Sequence, residues 1–345
     1  MNLTPGQLYF INEQDIKTGE RSNYYKIGIV RESFERDSKD RLLEHQTGNP
    51  RKLVIVETLN MPAVEEVETS LHYLFARNWT MGEWMCFTDD ELKKAISKAK
   101  ELSTAMQENI EDFKRAEELS DIASNGIILP ATPDAEEFYK NYMNYKVVIK
   151  SCDEVLEDYD NYLYKAIEKG VDVSGKANIQ NRIGSKKFDE KLFLSKYPDL
   201  YKKFSTLTYP IKGSFRSKLN KDWVAVVPSI NQEQAELIIE FKDELSKADH
   251  SLEIGFLLHD KHLRILEIRE YAQLNSDIAN TKLRIVTGKS EGIEGICTWK
   301  REIKETIVLD KQKIQSDYPA EYNLCVVQGK DTKALLVNPR IPEVK

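Results

Sequence analysis

The sequence predicts a mixed α/β (α+β) chain built from a small N-terminal α/β unit, a long helical connector and a second mixed α/β region. Three observations predict it. Short alternating apolar runs and helical patterns take turns through the first hundred residues. A single helical pattern then runs from Asp134 to Lys169. Finally, the charge balance changes sign between residues 174 and 223, where 12 Lys and Arg face 4 Asp and Glu in a chain whose net charge is −7. The implied units are 1–102, 103–173, 174–222 and 223–345.

In order, "LYFI" and "YYKIGIV" read as strands joined by a polar turn with a Thr-Gly signal. In "DSKDRLLEHQTGNP", Ser38 is placed to cap a helix, Leu42 and Leu43 give it an apolar face, and Gly48-Asn49-Pro50 stops it. "KLVIVETL" is a third strand. "PAVEEVETSLHYLFARNW" is an amphipathic helix, with Pro62 near its first turn and Val64, Val67, Leu71, Leu74 and Phe75 at helical spacing. "GEWMCF" is a short strand, and "TDDELKKAISKAKEL" is a helix with Thr88 and Glu91 in capping-box spacing. The order is β-β-α-β-α-β-α.

Residues 103–133 read as a less periodic connection. From 134 to 169, Phe138, Tyr142, Tyr145, Ile149, Cys152, Leu156, Tyr159 and Leu163 share a face, as in a coiled-coil arm or a bundle helix. Beyond Trp223, "WVAVVP", "EIGFLL", "TKLRIVTG" and "LCVVQG" read as strands and "NQEQAELIIEFKDELSKA" as a helix. No internal repeat is evident. Cys86, Cys152, Cys297 and Cys325 lie far apart and form no CxxC pair, which argues against zinc and a disulfide framework. No run of apolar residues is long enough for a membrane span and no secretory leader is visible, so a cytoplasmic protein is expected. His259 and His262 in "HDKH" lack a third ligand, and "IVTGKSEGIEG" lacks phosphate-loop spacing.

The chemistry-bearing residues concentrate in the first unit. Tyr9 lies in the first strand, and Tyr25, Lys26 and Gly28 in the second. Arg41 and His45 are four apart on one predicted helix, and Glu68 and His72 four apart on the next, so each pair shares a face. Phosphodiester hydrolysis uses such parts. A carboxylate holds a divalent cation, an arginine neutralises phosphate charge, and a histidine, tyrosine or lysine moves the proton of the attacking water. The plain alternatives are an Arg41–Glu68 surface salt bridge, a structural His72, a sheet-packing Tyr9 and a core Trp84.

These residues resemble the GIY-YIG nuclease superfamily, in the branch of phage-type DNA-binding domains whose second motif reads KIG. "QLY" (Gln7 to Tyr9), "KIG" (Lys26 to Gly28), Arg41, His45, "TGNP" (Thr47 to Pro50), "ETSLH" (Glu68 to His72) and "GEW" (Gly82 to Trp84) carry the resemblance over residues 7–95. It implies a small antiparallel three-stranded sheet flanked by helices. Glu68 would bind one Mg²⁺ or Mn²⁺, Tyr9 would position or deprotonate water, Arg41 would grip the scissile phosphate, and His45 would move a proton or hold phosphate. Gly28 would let backbone approach the substrate. Two positions depart from the pattern: Gln7 stands at the first motif's glycine, and Lys26 at the second motif's tyrosine. Tyr25, one step away, belongs to the opposite face of a strand.

Under the resemblance, Tyr25, Gly28 and His72 are expected to contact DNA. Lys186, Lys187, Lys202, Lys203 and Arg216 are expected as further DNA contacts from the basic stretch, whose aromatics are interleaved with its lysines. Residues 174–218 resemble, more weakly, the tail of YqaJ-type phage recombination exonucleases. The sequence thus points to a metal-dependent DNA endonuclease or nickase of phage, mobile-element or defence biology. The alternative is a DNA-binding protein with an inactive module, and a third reading is an assembly protein that pairs through the helix at 134–169.

Overall fold

A computed structural model describes residues 3–32, 37–217, 230–248 and 256–339. The N-terminal unit comprises β1 (Gly6–Gln14), β2 (Arg21–Arg31), α1 (Ser38–Gln46), β3 (Lys52–Met61) and α2 (Val64–Leu74). A short 3₁₀ turn follows, then β4 (Trp79–Met81), β5 (Trp84–Cys86) and α3 (Asp89–Ser120). The expected order is present. The three antiparallel strands β3-β1-β2 form the centre of the sheet, and the β5-β4 hairpin extends it to five, in the order β3-β1-β2-β5-β4. The helix expected through Trp79 ends at Leu74, and Trp79 opens β4, a strand too short to show a period.

The pleat sorts this sheet into two faces. Leu8, Phe10, Tyr25 and Ile27 meet α2 and α3 through Val64, Val67, Leu71, Leu92 and Ala95. On the other face Tyr9, Ile11 and Val30 meet Leu42 of α1. Leu43 is exposed rather than part of that apolar face. Asp37, not Ser38, caps α1, in a capping box with Asp40. At the other end Gln46 clamps the "TGNP" turn, donating to the carbonyls of Asn49 and Arg51 while accepting from Leu53 N–H. The Thr88–Glu91 capping box forms as expected.

Helix α3 does not stop at 102. It continues to Ser120, because Met106, Phe113, Ala116 and Leu119 keep helical spacing beneath a heavily charged outer face. After β6 (Ile128–Leu129) comes α4 (Pro133–Glu168), then β7 (Ala177–Arg182), β8 (Lys186–Phe188), α5 (Glu190–Lys196), α6 (Pro198–Phe204), β9 (Ser205–Thr208), β10 (Ile211–Gly213) and β11 (Arg216–Ser217). Next are α7 (Gln232–Lys247) and α8 (Phe256–Thr287). The chain ends in β12 (Gly292–Ile293), β13 (Cys297–Thr298), β14 (Arg301–Ile303), β15 (Thr306–Leu309), α9 (Lys311–Asp317), α10 (Pro319–Asn323), β16 (Val326–Gln328) and β17 (Thr332–Val337).

Helix α4 is a bundle helix. Its apolar face, including Cys152, Tyr159 and Leu163, packs on Leu237 and Phe241 of α7 and on Ile265 and Ile268 of α8. The strands expected at "EIGFLL" and "TKLRIVTG" are corrected: from Phe256 onward both lie in α8, while 253–255, like "WVAVVP", fall outside the described residues. The expected strand in "LCVVQG" is β16. Among the described residues, no helix is long and apolar enough to cross a membrane.

The expectation of no repeat is also corrected. "FDEKLFLSKYPDLYKKF" (188–204) and "LDKQKIQSDYPAEYNLC" (309–325) share one structure 121 positions apart. Asp189 and Asp310 cap the first helix of each copy. Tyr197 and Tyr318 break each copy at the same backbone angles, φ −134° ψ 58° and φ −135° ψ 58°, just before a proline that disfavours helix at the preceding residue. Asp189 N–H donates to Cys325 C=O, and its counterpart Asp310 N–H to Phe204 C=O. The copies share one core, Phe193, Phe204, Leu309, Ile314 and Cys325. Their flanking strands pair antiparallel in a single register: Arg182 with Thr332, Lys186 with Gln328, Ser205 with Leu309, Ile211 with Ile303 and Arg216 with Thr298, each pair summing to 514. The C-terminal region is thus an internal duplication with approximate two-fold symmetry.

His259 and His262 pack against Tyr159. Tyr159 hydroxyl and His259 Nδ1 share a hydrogen bond of 2.9 Å, and the His262 ring lies 4.7 Å from the Tyr159 ring. Burial holds His262 down to about 3 from an ordinary 6.5, and His259 down to about 4. A depressed histidine stabilises the fold fully above pH 6.5 and progressively less as the pH drops through that value toward the folded one. Melting between about pH 7.5 and about pH 5 is expected to show a stability loss of which His262 contributes at most about 2 kcal/mol. His262→Leu is expected to lose less stability over that range than the wild type, and an equal loss refutes the assignment.

Candidate active site

The site grows out of the pairing of β1 with β2. Tyr9 lies opposite Gly28, and Ile11 opposite Lys26, so these four side-chain positions share the face covered by α1. The Tyr9 ring lies directly over Gly28, where an added Cβ would come within 2.6 Å of the Tyr9 hydroxyl. Gly28 therefore makes room for Tyr9 and not, as expected, for substrate. Tyr9 is 1% exposed, and its hydroxyl and His45 Nε2 share a hydrogen bond of 3.2 Å. Burial raises the Tyr9 pKa despite the opposing pull of the Arg41 guanidinium. His45 is pushed below its ordinary value by burial, then by the positive charges of Lys26 and Arg41. At neutral pH the pair is a protonated phenol and a neutral imidazole.

Helix α1 presents Arg41 and His45 one turn apart, and its position depends on Gln7. The Gln7 side-chain carbonyl accepts from Ser38 N–H at 3.2 Å, satisfying a donor at the start of the helix. The glutamine at the first motif's glycine position thus has a job, fixing the entry of the helix that carries the arginine. Arg41 pairs with Glu44 at 2.6 Å and not with Glu68.

Lys26 is almost buried, and its ammonium is tied to the Glu83 carboxylate. Glu83 lies in the turn just before β5, which pairs with β2, and its carbonyl accepts from Ile27 N–H at 3.1 Å. Its negative charge reaches Glu68, Tyr9, His45 and His72 alike. Sequence reasoning quoted Glu83 within "GEW" but gave it no role. Glu68, on α2, forms no hydrogen bond or ion pair among the described residues. Burial, then Glu83, push its carboxyl up to about 8, with Lys26 pulling the other way. Trp84 is half-buried opposite Lys26 and packs beside Tyr9 and Ile11.

Two expected surface residues are interior. Tyr25, 3% exposed, points to the opposite face and packs against Phe87 with ring centroids 6.1 Å apart. His72, 1% exposed, is enclosed beside the Ile27 backbone, and burial holds it neutral with a pKa of about 4. Neither reaches DNA in this fold. In the duplicated region, Lys186 and Lys187 are exposed on β8 and Lys202 on α6. Lys203 is committed elsewhere: its amine donates to Tyr318 hydroxyl at 3.0 Å and sits over the Phe204 and Tyr318 rings. Arg216 lies on β11, donating to Ser214 at 3.1 Å, in a different sheet from Lys186.

Residues 6–100 match the T5orf172 domain. The match spans β1 to the opening turns of α3 and contains every residue of the Tyr9, Arg41, His45, Glu68 and Glu83 group. It is consistent with a phage-type nuclease-like or DNA-binding module. No curated protein and no solved structure matches the chain. Within the T5orf172 domain, no three or more His, Cys, Asp or Glu of the described residues are grouped to hold a metal ion. A cation here would rest on Glu68, a partly buried carboxyl with no ion pair among the described residues, which is the donor type that Mg²⁺ and Mn²⁺ favour.

Gly28→Ala is expected to displace the Tyr9 ring and to cost about 1–3 kcal/mol of stability by overpacking. Urea unfolding of the full chain measures it. Gly126→Ala provides a contrast, because that glycine has open space around it and a positive φ of 81°. Its cost is strain alone, of order 1 kcal/mol. A Gly28→Ala cost below the Gly126→Ala cost contradicts the packing account.

Proposed function

We propose that the T5orf172 domain is a metal-dependent endonuclease or nickase that hydrolyses DNA phosphodiester bonds, in phage, mobile-element or defence biology. One observation carries this reading: a neutral His45 held by Tyr9 with Arg41 beside it on α1, and Glu68 on α2, whose charge also reaches Tyr9, have Glu83 as their common charged neighbour.

Each residue has a distinct task. The Arg41–Glu44 pair is a surface contact of the kind worth little, so the guanidinium turns to a phosphate at small cost. His45, neutral near pH 7, takes a proton from the attacking water or returns one to the leaving oxygen. Tyr9 is a positioning residue, because its raised pKa and its burial make it a holder of His45 and not a base. Lys26 holds Glu83 and balances the charge beside Glu68. Glu68 would hold Mg²⁺ or Mn²⁺. A bound divalent cation would supply Lewis-acid stabilisation of the phosphoryl oxygens.

A second reading, DNA binding without cleavage, is favoured by one feature. Lys26 stands where the resembling nucleases have a tyrosine, and its amine is occupied by Glu83.

Supercoiled plasmid incubated with Mg²⁺, Mn²⁺ or EDTA separates the two readings. Metal-dependent nicking is expected, with Glu68→Ala abolishing it while leaving DNA binding intact. The rate is expected to rise with pH up to about 8, as Glu68 loses its proton. Glu83→Gln removes a neighbouring negative charge, lowers the Glu68 pKa and moves that rise to lower pH. A gel shift by both wild type and Glu68→Ala, with no cutting by either in any metal, sinks the nuclease reading and leaves the binding one.

A further inference from the structure

The internal duplication supplies its own comparison. Strands of the two copies pair with one another to form two two-stranded arms. One arm joins β7-β8 to β16-β17, and its twin joins β9-β10 to β14-β15. The 121-residue shift places Arg182 against Ile303, Lys186 against Ile307, Lys187 against Val308, and Tyr209 against Lys330. The first arm therefore carries four exposed cations where its twin carries four apolar side chains, each half exposed or more. Both sets sit at equivalent places on the same fold, so the core does not require either. The difference lies in what each surface meets.

Two further observations bear on the basic arm. Arg182, Lys186, Lys187 and Lys330 form no ion pair among the described residues, whereas lysines on the helices pair repeatedly with acids three or four positions away. Asp331, exposed next to Lys330, accepts from Gly184 N–H at 2.9 Å. The arm also crosses itself tightly at Gly184 and Gly329, where a Cβ on Gly184 would meet the Gly329 carbonyl at 2.1 Å. The twin has Glu305 and Thr208 at those positions, so this close crossing belongs to the basic arm alone. It holds the cations of both strands, Lys186 and Lys330, within a short stretch of ribbon.

We propose that this arm is the chain's second nucleic-acid contact, a β-ribbon whose Arg182, Lys186, Lys187 and Lys330 hold the phosphates of duplex DNA. The inference rests on the reading of the chain as a DNA-acting protein. It narrows the basic stretch to one element and adds Arg182 and Lys330, the latter contributed by the second copy. It also removes Lys203 and Arg216, which the fold engages elsewhere. A two-stranded ribbon has the width that the major groove of B-DNA admits.

The test compares full-length wild type with a variant carrying Arg182→Gln, Lys186→Gln, Lys187→Gln and Lys330→Gln. Fluorescence anisotropy reports binding to a duplex of about 30 base pairs between about 50 and about 200 mM salt. The variant is expected to bind at least about tenfold more weakly at the lower salt, and its log–log salt slope to fall by about 3 to 4. Ile303→Ser with Ile307→Ser, on the twin arm, is expected to change neither. Equal affinity and slope for wild type and the quadruple variant, with wild type binding DNA, overturn the arm alone. No duplex binding by the wild type overturns the arm together with the DNA reading beneath it.

Discussion

Helix α8 has to be buried on almost every side, and the molecule is assembled around that requirement. From Leu258 to Thr287 only Tyr271 is exposed. Ile265, Ile268 and Ala272 face α4 and α7, Ala279 and Leu283 face the N-terminal half of α4, and Leu274 and Ile278 reach the core of the T5orf172 domain. Its polar groups also bridge elements: Asp260 pairs with Arg77, Arg269 with Asp153, and Glu270 accepts from Ser70 at 2.7 Å in the interior. The N-terminal domain and the duplicated region therefore share one wall. Arg301 reinforces it, donating from the interior to Leu119 at the end of α3 and to Gly288 just after α8, with its guanidinium 3.8 Å from the Trp299 ring.

That wall stands behind α2, and α2 carries Glu68. On the sheet itself, the site is organised by charge. Glu83 is the common neighbour, neutralising Lys26 while raising Glu68. Burial, not pairing, is the larger influence on Tyr9, His45, Glu68 and His72. Low-dielectric surroundings make each of these groups sensitive to any cation or phosphate brought near. The positions of Tyr9, Gly28 and Gln7 are steric and hydrogen-bonding devices that fix where that sensitivity is felt.

The duplicated region shows the same core carrying two surfaces. Aspartate caps, Tyr-Pro breaks and the shared apolar cluster recur because they set the backbone. The ribbons outside that core were free to diverge, and at four matched positions one carries cations where the other carries apolar side chains. Both ribbons depend on strands far apart in sequence, such as Lys186 with Gln328.

Much of the N-terminal unit was legible from local rules. Alternation gave β1, β2 and β3, spacing gave α2 and α4, and the Thr88–Glu91 box and "TGNP" turn marked helix ends, because each of these is decided within a few residues of chain. The motif residues Tyr9, Arg41, His45 and Glu68 were legible for the same reason, whereas Tyr25, expected at the DNA-facing surface, is interior. Tertiary structure alone decided the rest. Helix α8 lacks a polar face, since neighbours surround it, and so it showed no clean helical period. Glu83 became central only when β5 paired with β2. Gly28 proved to serve Tyr9, a residue nineteen positions away, and the duplication was hidden because only a few of its positions must stay the same. Local periodicity fixes what a segment is. Which polar groups share a low-dielectric space is set by distant segments packing together, and a single sequence does not carry that in any short window.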